Sequence, residues 1–332
     1  MANYNGASHL AEAIGSAQRQ TLTDWELILV DDASVDDSVA IAQGLAETDP
    51  RIRVLVQPRN QGPAAARNRA LDAARGDWVA IVDSDDVMQP LRLERLLARA
   101  RRQGAEIVAD NQLVCSADLA PVSRFLTPAV AERLARLDLE RFIDSGRLYS
   151  RWPDLGVLKP MVRRALIART GARYDESLRI AEDFHFVVML MAAGAELHLE
   201  PEPLYLYRKH AGSISHRLTG PLIAAMIAAD RAARERLQDQ PGAGRALERR
   251  IAGLKSWAVH ERVMAAAKAR RWFEAARIAL ERPHAWRLIS RPLLERMVRR
   301  AGGASTTGRA LADSRSAGNY SGKFQQRAGT MQ

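Results

Sequence analysis

Residues 78–86 read WVAIVDSDD, an apolar run of strand length that stops at Asp83, Asp85 and Asp86. Ligand sites of α/β proteins lie at the carboxyl ends of the sheet strands, so this segment predicts a strand that presents oxygen ligands at a sheet edge. Oxygen ligands with no Cys or His nearby in the sequence favour a hard cation such as Mg²⁺ or Mn²⁺. Acidic residues also cluster in ordinary exposed turns, so the neighbouring segments must decide between the two interpretations.

A second apolar run ends in the same way. Residues 27–38 read LILVDDASVDDS, a predicted strand that ends in Asp31 and Asp32. If both strands belong to one sheet, their acidic ends meet at one edge, where one pair can hold a base or ribose and the other a metal. We expect Asp36 or Ser38 to cap the helix that follows.

A loop with Gly and Pro lies between these two segments in the sequence and opens a helix. Residues 57–78 read QPRNQGPAAARNRALDAARGDW, which places Arg67 in the first turns of that helix. Backbone amides at a helix start, with an arginine nearby, suit an anion such as a diphosphate. An amphipathic helix with solvated arginines is the alternative interpretation.

Five segments in this order and spacing together resemble a family 2 glycosyltransferase of the inverting GT-A type, as found in bacterial exopolysaccharide (succinoglycan-type) and lipopolysaccharide synthesis. They are ANYNG (2–6), LVDDASVDDS (29–38), RNQGPAAARNRA (59–70), GDWVAIVDSDD (76–86) and AEDFHF (181–186). The resemblance covers roughly residues 1–215. It implies an α/β fold of the GT-A type, with a Rossmann-like, mostly parallel sheet flanked by helices and a helical extension at the C-terminal end.

The resemblance also implies roles for individual residues. Asp183 corresponds to the general base, with Glu182 beside it, and Asp85, Asp83 and His210 correspond to the metal site for Mg²⁺ or Mn²⁺. The residues implied in nucleotide-sugar binding are Asn3, Tyr4, Asp31, Asp32, Arg67, Asp83, Ser84 and Arg208. A segment at 205–217, YLYRKHAGSISHR, is similar to a family segment in which Arg208, His210, Ser213 and Ser215 would fold over the diphosphate.

The implied reaction moves a hexose from a nucleotide-sugar, by expectation UDP-linked, to a saccharide or lipid-linked saccharide. The segment LGVLKPMVRRALI at 155–167 is expected to help form the acceptor pocket. Two alternatives remain open. In the first, VDSDDV fits the motif of haloacid-dehalogenase-like phosphatases, with Asp83 as nucleophile and Asp85 as acid/base. In the second, the chain is a non-catalytic nucleotide-sugar-binding protein.

The sequence predicts four regions: 1–115 for the nucleotide-sugar, 116–220 for the acceptor and the base, 221–302 as a helical extension, and 303–332 as a disordered tail. Single helices are expected over VAERLARLDLERFIDSG (130–146) and over IAAMIAADRAARERL (223–237). The family has a short apolar strand before the ANYNG loop, and this strand is apparently missing here. We expect four to eight apolar residues upstream.

Composition fits a cytoplasmic enzyme, since 47% of the 332 residues are hydrophobic and only one is Cys. No apolar run approaches the ~18 residues of a membrane span. The net charge of +10 is concentrated in late, arginine-rich helical segments such as 246–255 and 291–303, which suits peripheral contact with the anionic inner face of the plasma membrane. Solvated helix faces explain the charge nearly as well. Nucleic acid is not an expected partner, because aromatic residues are only 5% of the chain and are not interleaved with the basic runs.

Overall fold

A computed structural model describes residues 1–148, 150, 152–210 and 218–280. The chain divides into two compact units: Met1–Ile143 with the described residues of Leu155–Ser213, and Asp144–Asp154 with the described residues from 218 onward. The predicted nucleotide and acceptor regions lie together in the first unit, because strands from both pair within one sheet. The boundary between them stays a prediction. The predicted tail lies outside the described residues, and so do Ser213 and Ser215.

The first unit begins with a parallel sheet of three strands in the order β1-β2-β3. The strands are β1 (Ala2–Asn3), β2 (Leu27–Asp31) and β3 (Ile52–Val56). Every residue of β2 is buried, as expected for a strand covered on both faces. The first two residues of the ANYNG segment form β1, and its Asn3 lies in register with Asp31. The strand expected before this segment stays a prediction.

Three helices accompany this parallel sheet: α1 (Ala7–Gln18), α2 (Ser38–Thr48) and α3 (Pro63–Ala73). Leu10 and Ile14 of α1 form one core cluster with Leu29 of β2. Asp36 Oδ1 accepts the amide hydrogen of Ser38, the first residue of α2, as expected for a residue that caps this helix. Asp36 Oδ2 and Ser38 Oγ also accept hydrogen bonds from the amides of Ala7 and Gly6, so the same segment holds the start of α1.

A seven-stranded sheet carries the rest of the first unit, with the main order β4-β9-β6-β10-β5. Its strands are β4 (Trp78–Ala80), β5 (Val87–Met88), β6 (Ile107–Cys115), β7 (Pro121–Arg124), β8 (Arg136–Leu137), β9 (Met161–Arg163) and β10 (Leu197–Arg208). The β6–β10 pair is parallel, whereas the pairs β4–β9, β6–β9 and β5–β10 are antiparallel. The parallel arrangement is thus confirmed in the first sheet, and the second sheet is mixed.

Five helices belong to this part of the chain: α4 (Arg92–Gln103), α5 (Pro128–Arg133), α6 (Leu139–Ser145), α7 (Arg164–Thr170) and α8 (Glu182–Met191). The single helix predicted over 130–146 is wrong. Arg136 and Leu137 leave the helical path and pair with β10 as β8, and this splits the segment into α5 and α6. Leu137 is fully buried there, so packing against the sheet overrides helical periodicity.

The second unit is helical, with α9 (Gly220–Arg236), α10 (Pro241–Lys268) and α11 (Trp272–Leu280). The helix predicted over 223–237 is therefore observed in α9. Arg250 of α10 forms a buried ion pair with Asp230 of α9, and Arg249 forms a partly exposed ion pair with Asp144. Within the described residues, no helix combines the length and the apolar character that crossing a membrane requires.

Candidate active site

The acidic loop, residues 81–86, follows β4 and precedes β5. Strand pairing stops at Ala80, so the observed strand is shorter than the apolar run from which it was predicted. Beyond the strand, Ile81 donates its amide hydrogen to the carbonyl of Pro160. The Tyr205 hydroxyl of β10 accepts the amide hydrogen of Asp83 at 3.1 Å. These contacts fix the loop at the edge of the seven-stranded sheet, as predicted for a ligand site.

Three carboxylates of the acidic loop can face one cation. Asp83, Asp85 and Asp86 each offer an oxygen, and these oxygens lie within 4.8 Å of one another. Burial, together with the charges of Asp83 and Asp85, raises the pKa of Asp86 well above its ordinary value. Asp86 Oδ2 is buried without a hydrogen-bond donor in the described part of the chain. A divalent cation would relieve this repulsion, so the residues fit the predicted Mg²⁺ or Mn²⁺.

His210 and Arg208, at the end of β10, also contact the acidic loop. His210 Nε2 lies 2.9 Å from Asp85 Oδ2, which brings together two of the three predicted metal residues. Arg208 donates its amide hydrogen to Asp86 and its Nε hydrogen to the Asp85 carbonyl, both at 2.7 Å. Its guanidinium also pairs with Glu12 of α1. Arg208 is thereby buried, and in this conformation its guanidinium is engaged in holding the loop.

Arg67 of α3 joins two segments that are far apart in sequence. Its Nη2 lies 2.8 Å from Asp83 Oδ1, and its Nη1 lies 2.7 Å from Glu182 Oε1. The guanidinium also lies over the ring of Tyr174, 5.5 Å from the ring centroid. The helix that the sequence placed near a diphosphate therefore reaches both the acidic loop and the start of α8, where Glu182 and Asp183 lie.

Lys159 is the residue that the sequence analysis did not assign. Its Nζ lies 2.7 Å from Asp83 Oδ2 and 2.7 Å from Asp183 Oδ2. The only signal in the sequence is a single lysine inside the apolar run of 155–162, a type of residue that is rarely buried without a partner. Lys159, Arg67, Asp83, Glu182 and Asp183 form what we call the charge cluster.

The charge cluster shifts the protonation of its members. Burial opposes ionisation of Asp83, but Lys159 and Arg67 outweigh it and hold the pKa of Asp83 well below its usual range. Burial likewise opposes the charge on Lys159, but Asp183 and Asp83 hold the pKa of Lys159 well above its ordinary value. For Glu182, burial and the adjacent Asp183 raise the pKa. Lys159 and Arg67 therefore remain charged, while the pKa values of Asp83 and Glu182 are shifted in opposite directions.

The residues at the end of β2 that are predicted to bind the nucleotide are buried, and they accept hydrogen bonds from nearby residues of the chain. Asp32 accepts hydrogen bonds from the amides of Gln61 and Gly62, each at 2.7 Å, so it shapes the loop before α3. Asp31 accepts hydrogen bonds from Asn3 Nδ2 at 2.8 Å and from Ser34. Asn3 is buried as well.

Two further residues are predicted to bind the nucleotide, Tyr4 and Ser84. Tyr4 is 51% exposed, which leaves its ring open to a ligand. Ser84 of the acidic loop lies near Gly6: a Cβ placed on Gly6 would lie 3.5 Å from Ser84 Oγ. The roles of Asn3, Tyr4 and Ser84 in nucleotide binding stay predictions.

The comparisons with known proteins agree with this geometry. The family model of glycosyl transferase family 2 matches residues 1–156. The succinoglycan biosynthesis protein ExoO of Rhizobium meliloti (strain 1021) is 36% identical over 301 residues, which is 91% of this chain and 86% of that protein. Succinoglycan biosynthesis protein ExoU of the same strain is 33% identical over 193 residues, or 58% of this chain and 55% of that protein.

Solved structures share the fold. S. aureus TarS 1-349 in complex with UDP-GlcNAc superposes with a TM-score of 0.57 at 19% identity, over 83% of this chain and 88% of that chain. The mannosyltransferase PcManGT from Pyrobaculum calidifontis, in complex with GDP-Man and Mn²⁺, gives a TM-score of 0.51 at 19% identity, over 86% of this chain and 81% of that chain. The fold is that of GT-A glycosyltransferases. The chain belongs to glycosyltransferase family 2 and is a glycosyltransferase. The phosphatase and the non-catalytic alternatives are thereby set aside.

Proposed function

We propose that this chain is an inverting hexosyltransferase of bacterial exopolysaccharide synthesis. It takes the sugar from a nucleotide-sugar, by expectation UDP-linked, and adds it to a saccharide or lipid-linked saccharide. The observation that carries this proposal is that Asp83 and Asp183, from two distant segments, each lie 2.7 Å from the same nitrogen of Lys159. The similarity to ExoO over 91% of the chain supports the biosynthetic role.

In this reaction Asp183 removes the proton of the acceptor hydroxyl, whose oxygen forms a bond to the anomeric carbon. The bond from that carbon to the diphosphate oxygen breaks, and the nucleoside diphosphate leaves with the electron pair. Attack from the side opposite the leaving group inverts the anomeric centre, so an α-linked donor gives a β-glycoside. Arg67 contributes positive charge on the side of the acidic loop, where the resemblance puts the diphosphate.

Asp83, Asp85 and Asp86 would hold a Mg²⁺ or Mn²⁺ ion, with His210 beside Asp85. When bound, such an ion supplies positive charge that stabilises the departing diphosphate. The chain's own contribution is a loop whose position is fixed by Tyr205 and Arg208. These contacts fix the backbone of the loop before the donor arrives.

The experiment for this proposal is a thermal-shift titration with UDP, GDP and CDP, each with and without Mn²⁺. Stabilisation by one nucleoside diphosphate that depends on Mn²⁺ is expected, because a ligand that binds only the folded state raises its stability. The donor sugar is then identified by transfer assays with sugars linked to that nucleotide. An absence of stabilisation by all three would contradict the proposed donor class.

We also propose that the second unit contacts an anionic membrane surface through α11, which fits a cytoplasmic enzyme acting on a lipid-linked acceptor. Ala275, Ile278 and Ala279 pack against α10. Phe273 and Leu280 lie on the opposite face of α11 and are 95% and 70% exposed. Exposed basic residues lie on the same helix and just before it: Arg270, Arg271 and Arg277. Exposed aromatic residues beside cations are the pattern of an interfacial helix.

Co-sedimentation with vesicles tests this contact. The chain is expected to bind vesicles of phosphatidylcholine with phosphatidylglycerol more strongly than vesicles of phosphatidylcholine alone. Phe273→Ala should weaken this binding, whereas Val122→Ala, which changes an exposed apolar residue of the first unit, should not. Equal binding of both vesicle types, or equal effects of both variants, would count against α11 as the contact.

A further inference from the structure

The backbone and the side chain of Lys159 are both held in place by their surroundings. The residue lies between a 3₁₀ turn (Leu155–Val157) and β9. Its carbonyl oxygen accepts a hydrogen bond from the guanidinium of Arg92, a side chain that is itself fully buried. The Lys159 side chain is only 8% exposed. Because both its backbone and its stem are enclosed, its ammonium group has little freedom to follow a moving partner.

This ammonium group bridges carboxylates that no strand or helix connects directly. Asp183 lies in the first turn of α8, and Asp83 lies in the acidic loop. Lys159 Nζ lies 2.7 Å from an oxygen of each. Charge-assisted hydrogen bonds of this length are among the strong ones, so Lys159 sets the separation of the two carboxylates.

The second oxygen of Asp183 shows what competes with Lys159. Asp183 Oδ1 is buried without a hydrogen bond in the described part of the chain, and Arg67 Nη1 lies 3.5 Å from it. That nitrogen is already hydrogen-bonded to Glu182 at 2.7 Å. The orientation of the Asp183 carboxylate thus results from Lys159 on one side and Arg67 on the other. Without Lys159, Arg67 would be the one cation of the charge cluster beside the Asp183 carboxylate, at the longer distance of 3.5 Å.

We propose that Lys159 is a positioning residue for the reaction: it holds the Asp183 carboxylate at a fixed distance from the acidic loop, so that the base meets the acceptor hydroxyl opposite the leaving group. This inference rests on the proposed function. Lys159 transfers no proton, because the proton of the acceptor hydroxyl goes to Asp183. Its contribution is geometric, and a displacement of about 1 Å at a reacting group costs on the order of 10²-fold in rate.

Steady-state kinetics of Lys159→Met and Lys159→Arg test this role. Lys159→Met is expected to lower kcat by about 10²-fold while changing the donor KM much less, since the base is misplaced but the acidic loop remains. Lys159→Arg keeps the charge and should recover part of the loss. A raised donor KM with an unchanged kcat would instead make Lys159 a donor-binding residue only, and would overturn the proposal.

A double-mutant cycle separates positioning from mere stability. In the Asp183→Asn background, adding Lys159→Met is expected to have no further effect on the residual transfer rate, because the residue acts through Asp183. This double variant also avoids leaving the Asp183 carboxylate buried without its cation, so it remains informative if Lys159→Met alone does not fold. If the two substitutions lowered the rate by independent factors, Lys159 would not act through Asp183.

Arg250→Met is the matched control, because it removes another buried cation from an ion pair, in the second unit. It should lower the melting temperature and leave kcat unchanged. The proposed function and the positioning role of Lys159 can be contradicted separately. A wild-type chain that neither transfers sugar nor is stabilised by a nucleoside diphosphate contradicts the proposed function. An active wild type whose Lys159→Met variant keeps its kcat contradicts the positioning role alone.

Discussion

Arg92 and Asp110 form an ion pair that is closed to solvent: Arg92 Nη2 lies 3.0 Å from Asp110 Oδ1, and the side chains are 0% and 1% exposed. Arg92 Nε is 3.1 Å from each Asp110 oxygen, so the contact is a charge-assisted fork. The same guanidinium reaches the carbonyl oxygens of Ile81 and Lys159. One buried side chain therefore ties β6 to the acidic loop and to the lysine of the charge cluster.

Arg92→Met is expected to lower the free energy of unfolding by about 3–5 kcal/mol, because it leaves the Asp110 carboxylate buried without its cation. Adding Asp110→Leu should recover most of this loss, since an apolar pair needs no compensation. Urea denaturation measures both. Arg169→Met is the control: its pair with Glu106 is half exposed and should be worth less than about 1 kcal/mol. Equal losses for both arginines would contradict this assignment.

Asp183→Asn is expected to lower kcat by about 10²–10⁴-fold, because the amide cannot accept the proton of the acceptor hydroxyl. Binding of the nucleoside diphosphate should persist in this variant. Asp85→Ala should instead weaken the Mn²⁺-dependent binding of the nucleoside diphosphate. Calorimetric titration and transfer assays on the same preparations distinguish the two. Near-normal turnover of Asp183→Asn would exclude it as the base.

The Asp49 carboxylate is expected to make stability depend on pH. Hydrogen bonds from Arg51 lower the pKa of Asp49 against the opposing effect of burial. Since the folded-state pKa lies below the unfolded value near 3.8, the carboxylate stabilises the fold above that value, and the contribution is lost as the pH falls through the folded pKa. Asp49→Asn should therefore be destabilised at pH 7 and approach wild type only below about pH 4.

Denaturation curves across this pH range check the Asp49 prediction. Asp37→Asn is the control, because Asp37 precedes α2 without making a capping hydrogen bond from its side chain. Its stability difference from wild type should stay small at every pH. A pH-independent loss in Asp49→Asn would mean that packing, and not the charge, accounts for its effect.

Gly62→Ala is expected to cost about 1–3 kcal/mol of stability, because Gly62 has φ 97° and ψ 166°, a conformation that essentially only glycine adopts. A Cβ there would also meet Arg179. Gly171→Ala is the matched control: φ is +63° with open space around it, and its cost should be near the lower end. Since Gly62 directly precedes α3, its variant should also weaken donor binding through Arg67.

The end of β2 and the start of α3 were predictable because local composition encodes them. The apolar run of β2 ends at Asp31, and the loop with Gly and Pro opens α3 at Pro63. The segment at 130–146 was not predictable in the same way. Its apolar spacing fits a helix, and only the pairing of Leu137 with Leu197 shows that a strand interrupts it. Burial against a sheet is a non-local gain that no window of sequence contains.

By itself, the sequence determined the order of the acid-ended strands and, through the resemblance of its motifs, the class of the enzyme, because short-range patterns and spacing specify them. It also predicted the carboxylates that we propose carry the chemistry. Only the tertiary structure decided which cations meet those carboxylates. Lys159 is 76 residues from Asp83 and 24 from Asp183 along the chain, yet its ammonium group lies 2.7 Å from both. An ion pair of this kind is set by the packing of the 3₁₀ turn (Leu155–Val157) against α8, which no local stretch of sequence contains.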